Sequence, residues 1–190
     1  RTGGAQPGDL ILLTKGAPIE AASIIAREKR DALAGQFSAE MLEHCANFLY
    51  DPGISVVRDA RIAAEVGGVT SMHDPTEGGV LTALWELAEA SGCALEVDLY
   101  GDRQPWLPDA VALCAALQLD PAAAIASGAL LLTVRPDRLA ALQAAYRQAN
   151  IPIFHLGQIA AGAPAVRDRT RGVLARPLRD EIARLFDSND

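Results

Sequence analysis

The chain has 190 residues and a mass of 20.0 kDa, enough for one domain with a substantial hydrophobic core. Its net charge of −7 at pH 7 argues against nonspecific nucleic-acid binding, which needs a basic surface. Its longest apolar runs, such as residues 129–134, are far shorter than the roughly 20 residues of a membrane-spanning helix. Composition therefore predicts partners other than nucleic acid or membrane.

The cysteines predict the compartment. Cys45, Cys93 and Cys114 are an odd number and lack the C-x-x-C spacing of many zinc sites. Proteins of oxidising compartments use paired cysteines in disulfides. The sequence therefore predicts a reducing, cytoplasmic compartment, no metal site, and cysteines that fill the core as small apolar residues.

The first residues are typical of a linker. The chain begins at Arg1 without a methionine and continues TGGAQPG, a run rich in glycine with one proline. Residues 1–7 are therefore interpreted as the remnant of a linker, and residues 8–190 as one folded domain. We expect the chain to be part of a longer protein in which another domain precedes it.

Strands and helices alternate along the rest of the chain. Apolar runs predict strands at 8–16, 69–73, 94–99, 129–134 and 154–159. Helical spacing of apolar residues predicts helices at 18–34, 39–50, 55–66, 75–91, 136–150 and 178–186. Pro108 and Pro121 are predicted to open two further helices, the second capped by Asp120, and the arginine-rich residues 167–184 are interpreted as a solvated loop and helix face. The alternation predicts an α/β domain whose sheet is covered by helices.

The sequence SMHDPTEGGV carries the most informative helix start. Asp74 is a favourable N-cap, the proline after it suits the first helical position, and Glu77 completes a capping box. Those roles leave Gly78 and Gly79 unexplained, because each glycine inside a helix costs about 0.5–1 kcal/mol relative to alanine. Either another backbone approaches closely there, or an anion such as phosphate binds the amides at the positive end of the helix dipole. Local chemistry leaves both alternatives open.

Two further positions are candidates. Lys15 and Gly16 end the first strand, where α/β folds open ligand crevices, and a lysine there could contact a phosphate. A solvated lysine before a turn explains the same residues without a ligand. His73 precedes the predicted helix and is interpreted as a structural or surface histidine in preference to a general base.

Four segments carry a resemblance to a known family. In chain order they are GDLILLTKGAPIEAASIIA, ISVVRDARIAAEVGGVTSMHDPTEGG, LWELAEASG and IASGALLLTV. Together they resemble the C-terminal domain of the AIR synthase-related superfamily of ATP-dependent enzymes, closest to the hydrogenase-maturation, HypE-like branch. The resemblance implies a three-layer α/β/α domain, partly similar to a ferredoxin-like arrangement. It also implies a preceding N-terminal domain that dimerises and makes most contacts to ATP and magnesium.

The resemblance also implies a site. It places a phosphate- and substrate-binding role at an interdomain cleft on Asp74, Thr76, Gly78 and Gly79, with Lys15 and Gly16 behind them. The implied partners are the N-terminal domain, a small-molecule substrate and a second copy of the protein. ATP and magnesium are expected in the longer protein only, because this chain lacks the acidic Asp-Asp cluster that holds magnesium in the family.

One feature departs from the hydrogenase-maturation branch. Its enzymes typically end in a cysteine that accepts a carbamoyl group, whereas this sequence ends LFDSND and its last cysteine is Cys114. We therefore expect either a truncated tail or, in preference, a related member with different substrate chemistry. The alternative function is a noncatalytic packing or dimerisation domain, in which Gly78 and Gly79 serve close backbone contact.

Overall fold

The computed structural model describes residues 1–101 and 104–187. The strands are β1 (Leu10–Thr14), β2 (Val69–His73), β3 (Ala94–Val97), β4 (Leu131–Val134), β5 (Ile153–Ala160), β6 (Ala165–Asp168) and β7 (Gly172–Val173). The α-helices are α1 (Ile19–Glu28), α2 (Arg30–Leu33), α3 (Ala39–Ala46), α4 (Val57–Val66), α5 (Gly79–Ser91), α6 (Pro108–Ala116) and α7 (Leu139–Gln148). Short 3-10 helices cover Asn47–Leu49, Pro136–Arg138 and Glu181–Leu185.

The strands form one mixed sheet in the order β2-β4-β1-β5-β3-β6-β7. The central strand β1 pairs antiparallel with β4 and with β5, and β3 pairs parallel with β6. A register shift between Ile11 and Leu12 interrupts the pairing of β1 with β5. Because β1 is paired on both sides, its apolar residues Ile11, Leu12 and Leu13 are completely buried.

Helices cover both faces of the sheet. Ile11 and Leu13 point to one face and pack in a cluster with α5, whereas Leu12 points to the other and packs with α4 and α7. A third apolar cluster joins α1, α3 and α6. The predicted three-layer α/β/α class is confirmed.

The face under α4 and α7 is covered only in part. These helices pack over residues of β1, β2, β4 and the first residue of β5. Farther along that face, Gln158, Glu96 and Arg167 are register neighbours on β5, β3 and β6, and all three side chains are exposed. We call the exposed surface of these three strands the open sheet face.

Several local predictions are confirmed. The Met41 N–H donates to Ser38 Oγ at the start of α3 over 3.1 Å, and Pro108 opens α6. The three cysteines are buried, and burial raises the pKa of the Cys45 and Cys114 thiols to about 12. They fill the core as unreactive thiols.

Other predictions are wrong. The residues after Pro121 form turns instead of a helix, although Asp120 Oδ1 accepts the Ala122 N–H as a helix cap would. The predicted C-terminal helix is the 3-10 helix Glu181–Leu185. The supposed solvated loop contains β6 and β7, which complete the sheet edge.

Three predicted helices are split. The segment 18–34 breaks at Lys29, the segment 39–50 ends as the 3-10 helix Asn47–Leu49, and the segment 136–150 begins as the 3-10 helix Pro136–Arg138. In residues 1–101 and 104–187, every helix is too short or too polar to traverse a bilayer.

Candidate functional site

The helix α5 begins later than the sequence predicts. Gly78 is its N-cap and has a left-handed backbone, with φ 75°, and α5 starts at Gly79. Asp74 is four residues upstream of that cap, so the predicted capping box of Asp74 and Glu77 does not form. Residues 74–78 are a loop instead, closed by a hydrogen bond of 3.0 Å from the Gly79 N–H to the Thr76 carbonyl.

Close packing against another backbone segment explains why residue 79 is a glycine. Its φ of 65° lies in the left-handed region that favours glycine. A Cβ placed there would lie 2.5 Å from the Ala124 carbonyl oxygen and 2.6 Å from that of Ala122. The close approach of another backbone, one of the two alternatives that the sequence leaves open, is therefore present at this residue.

The amides at the start of α5 already have acceptors. The Gly78 N–H donates to Asp180 Oδ2 over 2.6 Å, and the Leu81 N–H donates to the Ala122 carbonyl over 2.9 Å. Asp180 comes from the C-terminal segment, 102 residues away in sequence. The negative charge that favours a helix N-terminus is thus supplied by the chain itself.

Asp74 has an unsatisfied carboxylate oxygen. Its Oδ1 atom is buried and has no hydrogen-bond partner. Burial raises the pKa of this carboxyl, and the nearby charges of His73 and Lys15 and a backbone hydrogen bond from Gly128 only partly offset it. A buried carboxylate oxygen without a donor destabilises the fold unless a cation or donor completes it.

An open cavity of about 640 Å³ lies beside the start of α5. Thr76 and Glu77 line it, both are exposed, and neither side chain makes a hydrogen bond within the described residues. The opposite wall comes from the C-terminal segment, including Arg176, Arg179 and Asp180. The cavity is large enough for a phosphoryl group. It is bordered by carboxylate and hydroxyl oxygens, which can bind a cation, and by arginines.

The Lys15 side chain makes its polar contacts inside the domain. Its Nζ donates to the Gly53 carbonyl at 3.1 Å and the Ser55 carbonyl at 2.9 Å, and lies 3.5 Å from Asp59 Oδ2. The residue is buried and has a φ of 61°, a strained value for a side chain other than glycine. Its ammonium therefore affects the site through the loop that it fixes, since Gly53 lies against Gly128, which donates to Asp74.

Gly16 is also enclosed by other residues of the domain. Its φ is 97°, and a Cβ there would lie 3.1 Å from both the Pro105 carbonyl oxygen and Leu107 Cδ2. It is buried beneath residues 105–107 instead of lining the cavity. The structure thus places Thr76 and Gly78 on the cavity, whereas Asp74, two residues before Thr76, does not line it, and Lys15 and Gly16 are separate from it.

Replacing Lys15 with methionine is expected to destabilise the fold by about 3–5 kcal/mol, because Asp59 would be left buried without its cation. Urea denaturation measures the loss. Arg30→Met is a matched control, since the ion pair of Arg30 with Glu43 is exposed and should contribute at most about 1 kcal/mol. Equal losses in the two variants would show that Lys15 is not an internal anchor.

His73 is part of a polar network beside the site. Its Nε2 atom lies 2.6 Å from Glu86 Oε2, and its Nδ1 atom lies 3.1 Å from Thr2 Oγ1. Arg176 pairs with Glu89 at 2.9 Å and lies 3.5 Å from Glu86. The network links the N-terminal segment, α5 and the C-terminal segment, which agrees with a structural role for His73.

Two residues that border this site are not predicted by the sequence to do so. The position of Glu77 predicts only a capping box, although the glycines that follow it are as typical of a loop as of a helix. Asp180 could not be found from local pattern, because its partner lies on α5, distant in the chain.

The fold and this loop-to-helix site define an AIR synthase-type C-terminal domain. The profile of the family described as AIR synthase related protein, C-terminal domain, matches residues 6–169. The chain therefore belongs to this family.

Its relatives lie in the hydrogenase-maturation branch. It is 34% identical over 144 residues to the carbamoyl dehydratase HypE of Cupriavidus necator, an alignment that covers 76% of this chain and 37% of that protein. It is 28% identical over 145 residues to the HypE of Rhizobium leguminosarum bv. viciae, covering 76% and 38% of the two chains. The HypE-like assignment is confirmed.

Solved structures agree on the fold. Escherichia coli HypE superimposes with a TM-score of 0.73 at 20% identity, covering 97% of this chain and 55% of that one. A HypE in complex with ATP gives 0.68 at 20% identity, with 97% and 55% covered. The thiamine-monophosphate kinase of Stenotrophomonas maltophilia gives 0.67 at 23% identity, with 90% and 53% covered. The chain spans about half the length of these structures and 37–38% of the curated relatives above.

Proposed function

We propose that this chain forms the phosphate-facing half of an ATP-dependent enzyme of the HypE type. In this proposal an N-terminal domain of the same protein holds most of the nucleotide, and the loop from Asp74 to Gly78 closes the cleft over its phosphates. The observation that carries the proposal is the buried, unpartnered Oδ1 of Asp74, in the same loop as Thr76 and Glu77, which line an open cavity. A carboxylate is retained in such a costly state where a ligand completes it.

The donors at this loop fit magnesium in type but not in number. Mg²⁺ prefers about six oxygen ligands, and Asp74, Thr76 and Glu77 offer carboxylate and hydroxyl oxygens. Within the described residues, no group of three or more His, Cys, Asp or Glu side chains is placed to hold a metal. Phosphate oxygens, water and the N-terminal domain would therefore supply the remaining ligands. When bound, ATP and magnesium supply a transferable phosphoryl group.

Residues of this chain then bind the nucleotide complex and orient it. Asp74 and Glu77 hold the cationic side of the nucleotide complex, and the Thr76 hydroxyl is exposed to donate to a phosphate oxygen. The Gly128 N–H and the Lys15-anchored loop fix the direction of the Asp74 carboxylate. Gly78 and Gly79 permit the left-handed turn that brings this loop to the cavity.

The comparisons support the choice of cofactor and substrate class. One structural relative is a HypE in complex with ATP, and a thiamine-phosphate kinase relative is complexed with AMPPCP and TMP. The curated relatives are carbamoyl dehydratases. We infer that the substrate is a carbamoyl or similar amide group whose oxygen is activated by ATP, in place of the different substrate chemistry that the sequence alone favours. Dimerisation of the whole protein and its cytoplasmic location stay predictions.

Titration calorimetry with Mg–ATP tests the proposal. The protein with its N-terminal half is expected to bind, and residues 1–190 alone to bind at least about a hundredfold more weakly, since they offer too few magnesium ligands. Glu77→Gln should weaken binding to the two-domain protein, whereas Glu65→Gln, at an exposed glutamate of α4, should not. No binding to the two-domain protein, or equal effects of the two substitutions, would contradict the proposal.

A noncatalytic packing domain is the second candidate. Exposed apolar side chains, suited to contact with another domain, occur at Tyr50, Ile54 and Val57, and Ile54 lies against Gly128. The same titration separates the candidates, because a packing domain would hold its partner domain without responding to substitution of Glu77.

A further inference from the structure

We propose that the open sheet face carries a second binding site, for a small organic anion that also bears a hydrogen-bond donor. A cavity of about 490 Å³ lies there between β3, β5 and β6. Its volume is within the range of small-molecule sites. Glu96 points away from the face on which Leu95 and Val97 pack with α5, so this cavity is on the side of the sheet opposite α5.

One wall of the cavity is cationic. Arg167 and Arg169 both line it, the first on β6 and the second in the turn that follows Asp168. Both side chains are exposed, and neither has an acceptor or an ion-pair partner within residues 1–101 and 104–187. Two guanidinium groups that line the same cavity can bind one phosphate or carboxylate together.

The residue between the arginines fixes this wall. The buried Asp168 carboxylate accepts hydrogen bonds from the Leu99, Thr170 and Arg171 N–H groups and from Thr170 Oγ1, over 2.6–3.0 Å. Burial acts to raise the pKa of Asp168, but these hydrogen bonds outweigh it and hold the pKa below its usual value. The Arg169 N–H also donates to the Val97 carbonyl over 2.9 Å. The backbone that carries the arginines is thus held in place before any ligand binds.

The neighbouring strand β3 and the residue after it offer acceptors beside the arginines. Asp98 lines the cavity, and its Oδ1 is buried without a hydrogen-bond partner. Glu96 is the register neighbour of Arg167, with Oε2 accepting from Gln158 Nε2 at 3.3 Å. A ligand with an acidic group for the arginines and an amino or hydroxyl group for Asp98 would match both sets of side chains. A phosphorylated or carboxylated amino or hydroxy compound has this chemistry.

Titration calorimetry with inorganic phosphate and with O-phospho-L-serine tests this site on the whole protein. Both probes are expected to bind, O-phospho-L-serine the more tightly because it adds a donor. Arg167→Gln and Arg169→Gln should each weaken both probes about tenfold, as loss of a charge-assisted contact does. Asp98→Asn should remove the advantage of O-phospho-L-serine and leave phosphate binding in place.

Two controls make the outcome decisive. Arg147→Gln removes another exposed arginine without a partner in the described residues, on α7, and should change neither affinity. Asp74→Asn should also leave both affinities unchanged, which separates this site from the proposed nucleotide site. Thermal unfolding verifies that each variant is folded. Absence of binding, or equal effects of Arg147→Gln and Arg167→Gln, would overturn the proposal.

Discussion

Replacing Asp74 with asparagine is expected to stabilise the fold without ligand and to lower ATP-dependent turnover about a hundredfold or more. The carboxylate has a buried oxygen with no donor, and burial raises its pKa, so its charge costs stability at neutral pH. The amide removes that charge but cannot replace a carboxylate that faces a metal–phosphate complex. Because Asp74 is half-exposed, the gain should be at most about 1 kcal/mol.

The raised pKa of Asp74 determines how the stability difference between wild type and Asp74→Asn changes with pH. The pKa of Asp74 is higher in the folded chain than in the unfolded one, so the folded state binds more protons between those two values. Stability of the wild type therefore falls as pH rises through that window. The difference from Asp74→Asn should be complete at neutral pH and should disappear below about pH 4, where the unfolded carboxyl is also protonated.

Thermal unfolding at several pH values and a steady-state assay of the two-domain protein measure the two effects. Asp59→Asn is a useful contrast, because Asp59 is buried but paired with Lys15 and Thr14, so its substitution should destabilise the fold. An Asp74→Asn protein that is less stable than wild type, or fully active, would show that this carboxylate is structural.

Replacing Gly79 with alanine is expected to destabilise the fold by about 2–5 kcal/mol. The positive φ alone costs about 1–2 kcal/mol with a side chain present. The new methyl group would also lie 2.5–2.6 Å from two backbone carbonyl oxygens, and overpacking of this kind costs a further 1–3 kcal/mol or so. Urea denaturation measures the total.

Gly92 provides the matched control. It also has a φ of 65°, at the C-cap of the same helix, but a Cβ there would meet nothing within 4 Å. Gly92→Ala should therefore show only the cost of the backbone conformation. If both substitutions cost the same, the contact of Gly79 with residues 122–124 contributes nothing and the glycine pair needs another reason.

The sequence predicted the elements whose signals are local. The central strands are continuous apolar runs, and α3 and α6 have their start signals within one turn, at Ser38 and Pro108. The strands β6 and β7 carry no clear signal because they are short and lie in or beside an arginine-rich segment, and the C-terminal helix is predicted but forms as a 3-10 helix. β6 pairs with β3 and β7 pairs with β6, and this pairing supplies the stability that local propensity does not.

The sequence points to residues 74–79 as a binding site, which stays a prediction. It assigns the N-cap to Asp74, whereas Gly78 is the N-cap and its N–H donates to Asp180 from the other end of the chain. It also placed Lys15 toward a ligand, whereas the ammonium binds two carbonyls and Asp59 inside the fold. Contacts between residues this distant in sequence leave no periodic pattern to detect.

A crystal structure of the two-domain protein with magnesium and a nonhydrolysable ATP analogue tests whether the 74–78 loop contacts the nucleotide complex. The decisive measurement is the distance from Asp74 Oδ1 to the metal. We expect coordination at about 2.1 Å, by a metal that also binds the nucleotide phosphates. A bound nucleotide whose phosphates and metal lie away from the 74–78 loop, with Oδ1 still unpartnered, would contradict the account.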